Sequence, residues 1–558
     1  MINLKLIGVV GLLATPIFFG VFNENTTPSK IIFESKNLQK LTLDNKANES
    51  LTDISTEDIN ISVKFNYDNF DIKEQMNVSK NFEDYRDEFY EKSKKYFSTK
   101  NNELMKKIDT TNMKNIYVSK YTPFFNFTLK TKDLSMSSVS PIETLAKKDY
   151  IDEINIKYPA KRTTKEKLYG VKDTLGINYI TDNLGYTGKG VKVGVLDVGV
   201  IDEDNEVFEG KNITIKSELL GIKNVQDHAT GMGSIIGGNE GIAPDCSLYS
   251  LQAILGFEEE FDWLLDNRVD IVNASIGSGT VNGKYNSDSA YFDYIIRQYK
   301  LIVFAAAGNE GGDDGSGNAY VANPGLGYNV FTVGDCNSWF SPTWESSYVT
   351  VEGPTKPNIT AIGIDVDIPG FSSSYTGTSI STAVVSGCTA LLLEKYPELK
   401  GNPAAVYALL GANTSNVANH YGKHNEPRIY EGTGCINIDR AFANEYLLRY
   451  GHSTNSDYYI MTPCTPGSGD VLKVYGFWLA YSDGTVKSLK FHDYDIILVD
   501  INNATKMRTR GVKNNFEYIE YPVYTESHYQ AKFSLVDYNE DLDSVDDDCG
   551  FAIGLIEP

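Results

Sequence analysis

The sequence predicts an α/β body built on a parallel sheet, preceded by a small α+β domain and followed by an antiparallel β-sandwich. Three observations carry this. Residues 190–199 and 301–311 each read as a buried strand running into a glycine turn, and small-residue helical segments open at His228 and cover 380–393. Upstream, 59–158 mixes strand alternation with a charged helix that carries an apolar stripe. Downstream, 471–479, 494–499, 516–521 and 529–536 are short aromatic and β-branched runs separated by turn residues.

A chain of 558 residues with 41% apolar content has room for two to four domains. Its formal charge is 51 − 74 = −23, and no basic stripe interleaved with aromatics is present. That composition argues against a nucleic-acid partner and suits an extracellular-type surface. Lys5 precedes an uncharged apolar stretch, 6–22, which reads as an export signal peptide or as an N-terminal anchor. Membrane contact is expected only if that segment stays uncleaved. Residues 23–58 are polar and rich in Asn, Ser and Thr, as a flexible linker is. The α+β domain, 59–165, starts with an alternating strand at 61–65. Phe82, Tyr85, Phe89 and Tyr96 then stripe a helix, and strands at 116–119 and 124–131, a helix at 141–148 and a strand at 150–154 follow.

Ser379 lies in the run Tyr375-Thr376-Gly377-Thr378-Ser379-Ile380-Ser381-Thr382-Ala383, at the start of an apolar helix. Free N–H groups and the positive dipole end there favour an oxyanion. A serine nucleophile needs an imidazole to take its proton, and the imidazole needs a carboxylate to fix its tautomer. Asp197 closes the 190–197 strand, and His228 opens a helix in Asp227-His228-Ala229-Thr230-Gly231-Met232-Gly233. Asn309, between Gly308 and Glu310 at the tip of a glycine turn, can donate to an oxyanion beside the Ser379 N–H.

Asp, His, Asn and Ser in that chain order resemble the subtilisin-like serine proteases (subtilases). Ile271-Val272-Asn273-Ala274-Ser275-Ile276-Gly277 is similar to the family's substrate strand, Lys356-Pro357-Asn358 to the segment before the nucleophile, and Gly432-Thr433-Gly434-Cys435 to the closing motif. The resemblance covers 168–447 and implies a subtilisin-like three-layer fold for a catalytic domain at 166–450. It implies Asp197, His228, Ser379 and Asn309 as catalytic residues, with Ser275, Ile276, Gly277, Ala306, Ala307 and Gly308 against a protein or peptide substrate. It also implies an inhibitory propeptide at 59–165, cut within 157–167 by the enzyme itself, with an accessory domain that stays attached as the other reading. The chemistry would require no cofactor, and activity should fall as acid protonates His228. Val198, Ala229, Met232 and Ala383 depart from the family pattern but remove no proton-transfer group.

The tail, 451–558, resembles the jelly-roll-type domains appended to secreted subtilases, notably at Phe491-His492-Asp493-Tyr494-Asp495-Ile496. Its Asp-rich turns leave room for a structural calcium ion, although no loop has the EF-hand pattern. Cys246, Cys336, Cys388, Cys435, Cys464 and Cys549 lack metal-ligand spacing. Export permits disulfides, of which a Cys464–Cys549 staple is one option, while Cys388 reads as a buried small hydrophobe. The small residues of the pocket, with the loop near Ala322 expected beside them, suggest a roomy site, and Glu310 with Asp313-Asp314 would either favour basic side chains or simply be solvated. Two other classes stay open: a protease-like binding protein or adhesin, and an esterase, against which the absence of Gly-x-Ser-x-Gly around Ser379 counts.

Overall fold

A computed structural model describes residues 41–43, 58–67, 82–130, 141–157, 169–216, 224–253, 257–278, 281–311, 318–343, 345–371, 374–415, 430–453, 457–537, 539, 542 and 547–556. The 1–22 segment, most of the expected linker and most of the expected cleavage region lie outside these residues. Two units divide the chain: 1–160 with 253–267, and 161–252 with 268–558.

The first unit holds β1 (Leu41–Leu43), β2 (Asp58–Phe65), α1 (Phe82–Met105), β3 (Lys114–Val118), β4 (Phe124–Lys130), α2 (Pro141–Ala146) and β5 (Ile151–Lys157). The strands form one sheet in the order β1-β5-β2-β4-β3, antiparallel except for β1 beside β5. β1 falls inside the stretch read as a flexible linker, where its backbone completes the sheet edge. Alternation along β2 and β4 sends Ile61, Val63, Phe65, Phe125, Phe127 and Leu129 into a core closed by Ile142 and Leu145 of α2. α1 buries Phe89, Ser93 and Phe97, an i, i+4, i+8 face.

The opposite set of strand residues is polar and meets the helix Glu258–Asp266, α5 in chain order. Glu258, Asp262 and Asp266, also four apart, aim three carboxylates along one face. Glu258 accepts from Ser62 Oγ (2.5 Å) and Asn126 Nδ2 (2.7 Å). Asp262 accepts from Tyr117 OH (2.6 Å), Ser119 Oγ (2.9 Å) and Lys120 N (2.5 Å). Asp266 accepts from Tyr121 OH (3.0 Å) and pairs with Lys120 and Lys94. Asp262 is fully enclosed, and loss of hydration pushes its carboxyl up to about 7 against the pull of those donors.

The second unit is built on nine strands: β6 (Lys192–Asp197), β7 (Ile213–Ile215), β8 (Ser247–Gln252), β9 (Ile271–Ala274), β10 (Ile302–Ala306), β11 (Phe331–Cys336), β12 (Ile359–Ile362), β15 (Thr414–Ser415) and β16 (Cys435–Ile436). A separate hairpin pairs β13 (Val366–Asp367) with β14 (Ser374–Tyr375). The sheet order is β15-β16-β12-β11-β10-β9-β6-β8-β7, parallel except for β15. Its helices are α3 (Tyr169–Thr174), α4 (Asp227–Gly237), α6 (Ser287–Tyr299), α7 (Thr378–Lys395), α8 (Pro403–Ala412) and α9 (Ile438–Ala443). α7 is small or apolar on every side and buried from Thr378 to Leu393, packed against β9 to β12 and against α4. Register sets the site. Leu196 and Ala305 both pair with Ala274, so Asp197, Ser275 and Ala306 leave the sheet at one level, at the strands' carboxyl ends.

Among the described residues the tail contains eight strands, not only the four legible in the sequence: β17 (Leu448–Ser453), β18 (Tyr458–Met461), β19 (Val471–Trp478), β20 (Asp493–Asp500), β21 (Thr505–Arg508), β22 (Phe516–Pro522), β23 (Tyr529–Asp537) and β24 (Asp547–Ile556). They form two antiparallel sheets, β17-β24-β19-β22 and β18-β23-β20-β21. Counted within the tail these orders are 1-8-3-6 and 2-7-4-5, a jelly roll. Leu472, Val474, Trp478, Phe551 and Ile553 of one sheet meet Ile496, Leu498 and Phe533 of the other in a shared core. The first sheet also lies directly on α8. A Cβ on Gly550 would stand 2.1 Å from Ala404 O, and one on Gly554 2.0 Å from Ala412 O.

All six cysteines are free thiols. A Cys464–Cys549 staple is therefore not formed: Cys549 is buried in β24 within the jelly-roll core, whereas Cys464 is exposed. Cys388 is buried in α7 as expected, and burial pushes its thiol well above the ordinary range. Among the described residues no helix is long and apolar enough to cross a membrane.

Candidate active site

Asp197 ends β6, and residues 198–200 then run beside 224–226: Val200 N donates to Asn224 O (2.8 Å) and Gln226 N to Val200 O (3.0 Å). Gly199 is required at this join, since a Cβ there would lie 2.1 Å from Gln226 Cγ. α4 begins immediately afterwards. His228, its second residue, consequently places Nδ1 2.8 Å and 2.9 Å from the two Asp197 carboxylate oxygens. Val198 N donates to Asp197 Oδ1 at 2.7 Å. Both side chains are buried. A carboxylate on Nδ1 favours the tautomer that leaves Nε2 as the proton acceptor.

Ser379 and Asn309 are joined through Thr378. Asn309 Oδ1 accepts from Thr378 N (3.0 Å) and Thr378 Oγ1 (2.9 Å), and Gly308 N donates to Thr378 Oγ1 (3.1 Å). The amide is thus anchored by its oxygen, with Nδ2 2.8 Å from the point a Cβ on Gly377 would occupy. Any larger residue at 377 would displace that nitrogen. Ser379 is the second residue of α7 and is buried; Ser275 Oγ donates to its carbonyl (3.0 Å) and receives Asn273 Nδ2 (2.9 Å). α4 and α7 pack together. Among the described residues, however, His228 Nε2 has no hydrogen-bond partner, so imidazole and carboxylate are bonded while hydroxyl and imidazole are not.

The six expected substrate-binding residues separate into two kinds. Ser275, Ile276, Ala306 and Ala307 are buried, and the Ser275 hydroxyl is committed to the α7 backbone. Gly277 and Gly308 are half-buried and face a common neighbour. Ala322 Cβ lies 3.2 Å from the Cβ position of Gly277 and 3.4 Å from that of Gly308. Ala322 N donates to Ala307 O (2.9 Å), and Ser278 N donates to Asn323 O (2.7 Å). Ser347, not found by sequence reading, donates its N–H to Gly308 O (2.8 Å) and accepts from Glu310 N at Oγ (3.1 Å). Thr378 was also overlooked as the joint between amide and nucleophile. Its place beside Ser379 was the available signal, while nothing local marks Ser347. Asp313 and Asp314 lie outside the described residues. Among those described, no group of three or more His, Cys, Asp or Glu side chains could hold a metal ion.

These features define an α/β protein with a serine near one helix start and, on a helix packed against it, an imidazole bonded to a buried carboxylate. Residues 188–430 match the model of the Subtilase family. Subtilisin NAT of Bacillus subtilis subsp. natto is 27% identical over 275 residues, covering 46% of this chain and 67% of that protein. Subtilisin DY of Bacillus licheniformis is 27% identical over 280 residues, covering 46% and 92%. The crystal structure of MycP1 from Mycobacterium smegmatis is 21% identical, covers 51% of this chain and 89% of that one, and superposes with a TM-score of 0.38. The α/β body of this chain is similar to the subtilases, a family of serine proteases.

Proposed function

We propose that the chain is a secreted or surface serine endopeptidase, made as a precursor that processes itself, and that Ser379, His228, Asp197 and Asn309 carry the reaction. The observation that supports this most is the buried His228–Asp197 pair, held at 2.8 Å, with His228 on a helix packed against the one whose second residue is Ser379. In this reading a peptide adds as a strand beside 275–277, its carbonyl carbon at Ser379. Closing the gap between Ser379 Oγ and His228 Nε2 is the first step, since catalytic contacts tighten on substrate binding. Nε2 takes the hydroxyl proton as Oγ attacks, then gives it to the leaving amine. Asn309 Nδ2 and the Ser379 N–H hold the oxyanion. Water attacks the acyl-enzyme by the same transfers, and every step uses protein groups and water alone.

The N-terminal domain supports the precursor reading. It grips α5, a segment C-terminal to the expected cut, through three buried or half-buried carboxylates, so a chain nicked within 157–167 stays assembled. Its partners are then protein substrates and its own N-terminal domain. A fluorophosphonate should label Ser379 in processed protein, and Ser379→Ala should leave the precursor uncut. Labelling elsewhere, or none, ends this reading. The unpartnered Nε2 favours a second reading, a protease-like binding protein; intact precursor processing in Ser379→Ala together with no labelling would select it.

A further inference from the structure

We infer that Asn329 is a positioning residue through which the jelly roll sets the substrate cleft, an inference that rests on the peptidase reading above. The segment 319–330 has a different task at each end. At one end Ala322 fills the space between Gly277 and Gly308, and Asn323 O accepts from Ser278 N (2.7 Å) and Ser278 Oγ (3.2 Å). Asn323 Oδ1 also accepts from Ser289 Oγ (2.6 Å), which ties this end to α6. The two walls of the proposed cleft therefore share one short piece of chain as their floor.

At the other end the same segment is fastened to the tail. Asn329 is fully buried and its side chain makes four hydrogen bonds. Nδ2 donates to Ala480 O (2.8 Å) and Asp293 O (3.0 Å), and Oδ1 accepts from Ala480 N (2.7 Å) and Asn515 Nδ2 (3.3 Å). Two donors and two lone pairs exhaust what an amide can do. Its pairing with both N–H and C=O of Ala480 imitates one rung of a β-ladder. The backbone is held as firmly: Asn329 N and Tyr328 N donate to the two Asp293 oxygens at 2.7 Å and 3.0 Å. The Tyr328 ring packs 5.3 Å from Phe491 of the jelly roll. None of these groups touches the proposed reacting atoms, so their effect on turnover must pass through the cleft floor.

The test uses the full-length processed protein, its active sites counted by fluorophosphonate labelling, and peptides differing at the residue before the cut. Asn329→Ala, and Phe491→Leu as the milder variant should the first fail to fold, are expected to raise KM about five- to tenfold with kcat within about twofold. They should also flatten the preference for that residue. Unchanged KM and preference in the folded variants, whatever happens to Tm, would overturn the inference and leave the jelly roll a stabiliser only. A fall in kcat at constant KM would overturn it as well, because the coupling would then reach Ser379 and not the floor. Failure of the wild-type protein to label refutes the peptidase reading itself, and is seen before any variant is made.

Discussion

Gly550→Ala tests how the jelly roll is seated. A methyl added there would meet Ala404 O at 2.1 Å, Ala404 C at 2.5 Å and Ala405 Cα at 2.6 Å. Ordinary C···O contact starts at about 3.3 Å, so β24 must lift from α8 by roughly 1 Å. The obstacle is helix backbone, with no rotamer to yield. Gly554 meets Ala412 O in the same way four residues further on. Four strand residues span about 13 Å, and the eight helix residues from 404 to 412 span about 12 Å. The strand thus runs along the helix, and lifting one end loosens the other. A gap of 0.5–1 Å forfeits about a quarter to a half of each dispersion contact, and overpacking costs typically about 1–3 kcal/mol. Each single variant should lie near the upper end of that range. The double variant should lose less than the sum, because the first lift relieves the second clash. Calorimetric unfolding at fixed pH measures all three. A Tm within about a degree of wild type for Gly550→Ala, or strict additivity in the double variant, would refute the seating.

Replacing Asn309 by Ala should lower kcat about 100- to 1000-fold at nearly constant KM. Asn309→Asp keeps an acceptor for Thr378 but sets negative charge at the oxyanion, so it should be worse catalytically while retaining the wild-type Tm; activity kept by Asp and lost by Ala would argue that anchoring and not donation matters. Asp335 is fully buried, accepts from Thr343 Oγ1, and is pushed up to about 7 by burial, with Glu345 adding to the rise. The folded chain therefore keeps a proton that the unfolded chain releases near 4, and stability should decline as pH rises from about 4 to 7, then level off. Asp335→Asn should remove that slope in Tm measured from pH 4 to 8. Asp262→Ala leaves Tyr117, Ser119 and the Lys120 N–H without an acceptor, so the separated N-terminal domain should bind the cut chain at least tenfold more weakly by calorimetry.

The site was legible where a residue type and its local turn fix the answer. Asp197 at a strand end, His228 at a helix start and Asn309 in a glycine turn each carry their own signal, and the chain brings Asp197 to His228 through the 198–200 and 224–226 pairing. What was illegible is set between segments. The family resemblance of its strand marks Ser275 for the substrate, while the bond of its hydroxyl to Ser379 O carries no signal in the sequence. The loop near Ala322 was expected at the pocket, but not that its methyl would lie 3.2 Å and 3.4 Å from the Cβ positions of Gly277 and Gly308. A glycine in sequence marks a close approach without naming what approaches.

The same limit explains the fold. β19, β20, β22 and β23 were visible because aromatic and β-branched alternation marks strands with one face in a core. β24 was not: Asp547, Asp548 and two glycines spoil its alternation. Yet the glycines let it lie on α8, Asp547 accepts from Tyr494 OH (3.0 Å) and bonds His492 Nδ1 (2.8 Å), and Asp548 pairs with Lys300 of the α/β body. Residues that look like turn formers are the ones that fasten the tail. α5 follows the same rule. Glu258, Asp262 and Asp266 lie four apart on one short helix, and each is an acceptor for the N-terminal domain. Acidic and glycine positions in this chain are therefore the places where segments far apart in sequence meet. If that is right, charge-removing substitutions at Asp262 and Asp547 should destabilise more than similar changes at the exposed Asp204 or Glu526. A thermal-unfolding series that ranks all four alike would sink the rule.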